Sequence, residues 1–360
     1  MSDSKENTPD TLFSGSPDIT PRPLKSGMSL PELLEYMGGT SFEARNVWRG
    51  ARLFRRMIEG DDVIWLGIAG AGIAGGMGGM VISLLEAGFI DVICSTGAQI
   101  YHDLHFAFEL PVKAIHPQVD DELLRKHGDT RIYDIAIRDR ETLEAQDALI
   151  RDFIRERYTS LCRAELSSWE FLQELGLWTQ EKSHRPERSF VATAARLGVP
   201  IFWDSNTNHS IAMNFVLTEK EGFPLNFLPR KDIFDSAAIA YTSKRTGFVE
   251  LGGGGPKNFI QQTGPTLSQI LRKNFEGADR GLQISTAVER EGSLSSCSFR
   301  EAVTWKKYRT ADEDTLIQIW GEYSVIFPLL CAYVIDCCKT KSPKDLISRM
   351  PDIIHNLESC

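Results

Sequence analysis

Six short apolar runs, each closed by glycine, serine or threonine or by a bulky strand end and set between helical patterns, constrain the fold of this 360-residue chain most. They are VIWLG (63–67), IDVICS (90–95), VPIFW (199–203), GFVEL (247–251), GLQIST (281–286) and TLIQIWG (315–321). Such runs read as strands covered on both faces. The helical patterns around them include FEARNVWRGARLFRRMIEG, residues 77–88, ETLEAQDALIRDFIRERY, a stretch around 188–197, one reaching to about Arg272, and SVIFPLLCAYVI. Thr40 and Glu43 are spaced as a capping box ahead of the first of these. The alternation predicts an α/β fold, a Rossmann-like doubly wound and mostly parallel sheet with helices on both faces. Residues 1–26, polar and rich in Ser and Pro, read as a flexible arm. Residues 27–345 read as a single domain and 346–360 as a C-terminal tail.

Charge and cysteine narrow the function classes. With 40 Lys plus Arg against 49 Asp plus Glu, the net charge of −9 gives no basic footprint for nucleic acid or an anionic membrane. Val63 to Leu85 is uncharged and long enough to cross a bilayer. Seven glycines in it, and flanking Asp61, Asp62 and Glu86, fit a strand, a turn and a helix better. The seven cysteines form no CxxC and have no His cluster at zinc spacing, so reduced thiols in a cytoplasmic protein and no metal are expected. The N-terminus lacks the basic start and apolar run of a signal peptide.

Four constellations carry candidate chemistry. Gly70-Ala71-Gly72-Ile73-Ala74-Gly75 is a GxGxxG run between a strand and a helix, as a dinucleotide fingerprint requires. Its ribose-binding acid is misplaced, because Asp91 begins the next strand and Ser95-Thr96 ends it. A glycine-packed turn with no ligand explains the run equally well. Gly252 to Gly255 follow another strand, and two such tips in one sheet favour a shared cofactor crevice. In the run Tyr101-His102-Asp103-Leu104-His105, His102 is a candidate base or substrate contact; a capping Asp103 beside surface histidines is the plainer reading. In Glu301-Ala302-Val303-Thr304-Trp305-Lys306-Lys307-Tyr308, a lysine desolvated against a tryptophan would have a nucleophilic amine. Glu301 and Trp305 share a helical face and Lys307 does not, so a reactive Lys307 needs an irregular backbone after Trp305. A solvated Lys-Lys-Tyr-Arg surface is the competing reading.

Together, LGIAGAGIAG, DVICSTGAQIYHDL, VPIFW with TNHS, LGGGGPKNFI, ADRGLQISTAVEREGS, EAVTWKK and SVIFPLL resemble the deoxyhypusine synthase family over nearly all of residues 40–340. The resemblance implies an NAD-dependent transferase of alkyl groups, generally a homotetramer with active sites between subunits. It implies removal of hydride from a polyamine, capture of the aminobutyl group on a lysine as an imine, and transfer to an acceptor amine. The family's lysine falls on Lys307, and Glu301 and Trp305 match as substrate contacts. Gly292 and Ser293 match the loop before the lysine, and His102 joins them as a substrate-binding candidate. Gly70 to Ala74 (with Gly72), Thr96, Gly97, Asn208, Gly254, Thr286, Ala287 and Glu322 fall on cofactor positions.

The departures bear on the substrate. Lys306 replaces the glycine before the active lysine, Met213 and Leu294 stand for aspartates, Tyr101 for a glutamate and Phe259 for a histidine. A polyammonium chain in a closed tunnel needs carboxylates in place of water. The chain therefore reads as a deoxyhypusine synthase-like aminoalkyl transferase with an altered amine site. Its acceptor is a protein lysine or, as in homospermidine synthesis, a free amine. The reading from a different class is a catalytically idle dinucleotide-binding protein that regulates or scaffolds.

Overall fold

The computed structural model describes residues 13–359. Of the expected arm, residues 1–12 lie outside the described part, and residues 13–26 are exposed. Nine strands follow: β1 (Val63–Ile68), β2 (Val92–Ser95), β3 (Val112–Ala114), β4 (Asp129–Ile132), β5 (Ile135–Arg138), β6 (Ile201–Trp203), β7 (Thr246–Leu251), β8 (Arg280–Ser285) and β9 (Leu316–Trp320). Six of them form one sheet in the order β6-β2-β1-β7-β8-β9, parallel throughout. The chain starts at the centre, builds outward through β2 and β6, then returns to build the other half from β7. This is the doubly wound order, and its switch point lies between β1 and β7.

Every one of the six apolar runs contains a strand; those of β1, β2, β6, β7 and β8 are buried almost throughout, while the edge strand β9 buries Ile317 and Ile319 and leaves Trp320 exposed. In β1, Ile64, Leu66 and Ile68 enter one core with the helices Phe42–Glu59, Gly78–Glu86 and Tyr323–Cys337. Trp65 turns to the other face, where Phe202, Phe248 and the helices Pro229–Thr242 and Gly254–Gln261 pack. Val63 to Leu85 divides into β1, a turn and a helix, and no described helix is long and apolar enough to cross a membrane.

Three features depart from the sequence reading. A second sheet, antiparallel in the order β3-β5-β4, lies in the charged stretch after Val119 and just before it. Its strands have three or four residues and carry Lys113, Asp129 and Arg131, so they present no apolar run. The stretch set apart as a tail belongs to the core: Leu346, Met350, Ile353 and Leu357 are buried in the second cluster. The last three recur at helical spacing along Met350–Ser359. The Thr40–Glu43 capping box does not form. Ser41 precedes the helix, the Thr40 hydroxyl donates to Met37 O, and Glu43 Oε2 accepts from Trp320 N at 2.9 Å, tying the helix to β9 instead.

Candidate active site

The two glycine-rich tips meet at the switch point. Ala69 N donates to Leu251 O at 3.0 Å, and a Cβ on Gly252 would lie 3.5 Å from that of Ala69. Gly70 has φ +82°, which glycine alone adopts freely. The close approach at this turn is made by the chain itself. The Tyr323 hydroxyl accepts from Gly72 N and donates to Ala69 O, both at 2.9 Å. A Cβ on Gly72 would sit 2.7 Å from the Tyr323 ring. The Gly72 N–H is thus taken by a phenol from the helix after β9, while Gly70 and Ala71 remain exposed.

Similar side chains cover other glycines. The His209 ring lies over Gly97, where a Cβ would approach within 2.2 Å. His209 Nδ1 accepts from Ala212 N at 3.2 Å, and burial pushes its pKa down to about 4. Thr96 caps the helix Gly97–Ala107 by accepting from Gln99 N. Ser295 covers Gly253 and its hydroxyl accepts from Gly254 N at 3.0 Å. Gly254 itself, at φ +57°, has open space on its Cβ side. Asn208, Thr286 and Glu322 are exposed, Ala287 half-buried. Glu322 Oε2 accepts from Ser324 N at 2.7 Å. At the tips of β7, β8 and β9, Gly254 is thus open on one side, Thr286 and Glu322 are exposed and Ala287 is half-buried, whereas in the fingerprint loop Tyr323 occupies the Gly72 N–H.

The Lys307 backbone lies beside the lead into β8 of the same half-sheet, its O accepting from Ala278 N at 3.0 Å. The helix Phe299–Thr304 stops at Trp305, and Lys306 takes φ +57°. That left-handed residue supplies the irregular backbone a reactive Lys307 requires, and it turns Lys307 inward. Lys307 is 8% exposed and Lys306 lies on the surface. Lys307 Nζ donates to Asn258 Oδ1 at 3.2 Å. Burial lowers its pKa; the charges of Glu250 and Glu301 pull it back up, and that of Lys257 lowers it further. An amine so placed is a ready nucleophile.

The expected substrate contacts divide. Glu301 is exposed and its charge reaches Lys307. Trp305 is 57% exposed, so within one chain it walls no closed pocket over the amine. Its place just past the helix end also breaks the shared helical face with Glu301. Ser293 is exposed and its hydroxyl donates to Glu291. His102 is drawn elsewhere: its Nδ1 lies 3.0 Å from His105 Nε2, and His105 Nδ1 lies 3.2 Å from Gln146 Oε1. Burial lowers the pKa of His102 and takes that of His105 down to about 3, so both rings stay neutral near pH 7. Asp103 is fully buried and caps another helix, accepting from Phe190 N at 3.0 Å and Val191 N at 3.2 Å.

Tyr101 is buried and its hydroxyl donates to Asp147 Oδ1 at 3.0 Å, within a network that includes Asn214 and Arg151. Met213 is 63% exposed and Leu294 38% exposed, so neither offers charge to an amine. Asn258 was not anticipated. It sits between Lys257 and Phe259 with no pattern to mark it, and only the fold brings it to Lys307.

The family model for deoxyhypusine synthase matches residues 32–334. A deoxyhypusine synthase-like protein of Thermosynechococcus vestitus is 32% identical over 353 residues, covering 94% of this chain and 86% of its own. A protein of Methanosarcina acetivorans named as a probable deoxyhypusine synthase is 32% identical, covering 89% and 90%. The fold is shared with a solved Entamoeba histolytica protein proposed to be a deoxyhypusine synthase, at a TM-score of 0.59 and 18% identity over 88% of this chain and 96% of that one. By the family match and the extent of these likenesses, the chain belongs to the deoxyhypusine synthase family.

Proposed function

We propose that this protein is a transferase that moves an aminobutyl or related aminoalkyl group from a polyamine to an acceptor amine through an imine on Lys307. The observation that carries the reading is the amine of Lys307: buried, lowered in pKa, held by one neutral acceptor, and presented by a left-handed turn packed against Gly264 and Gly277. NAD, when bound along the tips of β7 to β9, would supply the hydride acceptor that turns the donor's secondary amine into an imine. Lys307 then adds its neutral amine to that imine carbon. The new C–N bond forms, the Lys307 proton passes to the departing amine, and the old C–N bond breaks. Attack by the acceptor amine on the Lys307 imine releases the lysine by the same exchange and leaves the acceptor as an imine; return to that carbon of the hydride first taken from the donor would give the aminoalkyl amine, with no net oxidation. Asn258 orients the Lys307 amine, and exposed Glu301 offers a carboxylate to the cationic end of the donor.

The altered positions speak to which amine is used. Tyr101 spends its hydroxyl on Asp147, and Met213 and Leu294 carry no charge, so these three do not hold an ammonium. The donor is accordingly held by fewer carboxylates than a typical synthase would supply, and the acceptor is a protein lysine or a free amine in the cytoplasm. Borohydride reduction during turnover with NAD and a panel of polyamines should trap an aminoalkyl adduct on Lys307, located by peptide mass spectrometry. Lys307→Arg should abolish transfer and retain part of the amine-dependent absorbance near ~340 nm, because hydride removal precedes the lysine's attack. An adduct on Lys306, or wild-type transfer by Lys307→Arg, would sink the assignment.

A further inference from the structure

Behind Lys307 lies a buried polar row that these steps leave unused. In register across four strands stand Gly67 of β1, Glu250 of β7, Gln283 of β8 and Gln318 of β9. Gly67 lets the helix Gly254–Gln261 lie close: a Cβ there would meet Ile260 Cδ1 at 3.3 Å. That helix brings Lys257 and Gln261 to the row. Glu250 is 1% exposed. Its Oε1 accepts from Tyr308 Oη at 2.9 Å and from Gln261 Nε2 at 2.7 Å, while its Oε2 is buried with no partner.

Lys257 is equally buried, and its Nζ donates to Gln283 Oε1 at 2.9 Å, Cys297 O at 2.8 Å and Ser295 O at 3.5 Å. All three acceptors are neutral. Two buried lysines, Lys257 and Lys307, thus stand near one buried carboxyl, and a buried cation with no counter-charge is the costly state.

We propose that Glu250 is a positioning residue for Lys307: by accepting from the Tyr308 hydroxyl it anchors the turn that presents the amine, and it is the buried carboxyl set behind that amine. Tyr308 follows Lys307 directly, and the chain on both sides of it is pinned to β8's approach by Ala278 N to Lys307 O and Arg309 N to Ala278 O, both at 3.0 Å. The groups facing the pair are Lys257 and Gln261 from the helix, Gln283 from β8, Cys297 and Glu301 from the segment before the lysine, and Tyr308 beside it. Burial, with Lys257, favours the free amine of Lys307, whereas Cys297, Glu250 and Glu301 favour its ammonium. Without the Glu250 charge, the first pair of effects has less to oppose it.

The role in transfer rests on Lys307 being the nucleophile, but the test reads the amine itself and needs neither donor nor cofactor. The intact protein is labelled competitively with acetic anhydride across the lysine titration range, and fragment spectra separate Lys307 from Lys306. In Glu250→Gln, which keeps an acceptor for Tyr308, the Lys307 midpoint should fall by about one pH unit, giving about tenfold more free amine at a fixed pH on the lower limb. Tyr308→Phe should move it the same way by less, since a carboxylate that loses a donor becomes more neutral. Lys306, on the surface, should not move in either. A Lys307 midpoint that stays or rises in a folded variant overturns the proposal. If Glu250→Gln does not fold, Tyr308→Phe alone decides it. Failure of amine transfer with these shifts present would count against the proposed reaction and not against Glu250.

Discussion

Lys306 takes a conformation that costs a side chain about 1 kcal/mol relative to glycine. Its surroundings hold it there. A Cβ on Gly264 would lie 2.1 Å from Lys306 O, and one on Gly277, at φ +105°, 2.8 Å from the same oxygen. The turn is clamped from two sides by glycines, so the backbone cannot relax around the lysine. Lys306→Gly should therefore raise stability by about 0.5 kcal/mol, the relieved strain exceeding the added freedom of the unfolded chain. Urea denaturation measures this, and a less stable variant would contradict it. Adduct formation on Lys307 should be retained, because the φ that turns Lys307 inward is one glycine adopts readily.

At the scale of elements, the fingerprint loop and the start of the helix Tyr323–Cys337 act as one unit. Gly72→Val would drive a branched side chain into the Tyr323 ring, so it is a variant of stability before it is one of binding. Tyr323→Phe is the cleaner change. It removes two hydrogen bonds, for a cost of about 1–2 kcal/mol, and frees the Gly72 N–H. The rise in melting temperature produced by NAD should be larger in Tyr323→Phe than in the wild type, because a backbone donor then faces the crevice. An equal or smaller rise would mean that the phenol and the cofactor do not compete. The six strands of the main sheet are legible in the sequence because each is a short, mostly apolar run, buried on both faces in all but the edge strand β9. The antiparallel β3-β5-β4 is not, since its short strands are half-exposed and polar, and only pairing with one another defines them.

For the whole molecule, one group of exposed apolar residues falls in the segments that follow β8 and β9. Val288, Leu294, Trp305, Trp320 and Val325 are each at least 38% exposed, and all lie in segments at or beyond the ends of β8 and β9. Surface of this kind marks contact with another chain. A homotetramer that covers these residues would also enclose Trp305 and Glu301, completing the wall over Lys307 that a single chain leaves open. Multi-angle light scattering should give four protomers, and Val325→Asp should reduce that number. A wild-type protein that scatters as one protomer at micromolar concentration would refute the assembly.

The sequence by itself determined the doubly wound sheet, the placing of LGIAGAGIAG and LGGGGPKNFI at strand tips of one sheet, and the need for an irregular turn before a reactive Lys307. These follow from local rules: apolar runs of strand length, glycine at strand ends, and the geometry of i, i+4 on a helix. Only the tertiary structure decided what fills the glycine turn, where Tyr323 arrives from 251 residues away. It also decided that Glu43 bonds β9 instead of capping its helix, and that Asn258 and Glu250 stand behind the lysine. Such contacts join residues far apart in the chain, and no periodicity records them. Burial, which lowers the pKa of Lys307 and raises that of Glu250, is likewise a property of the packed whole.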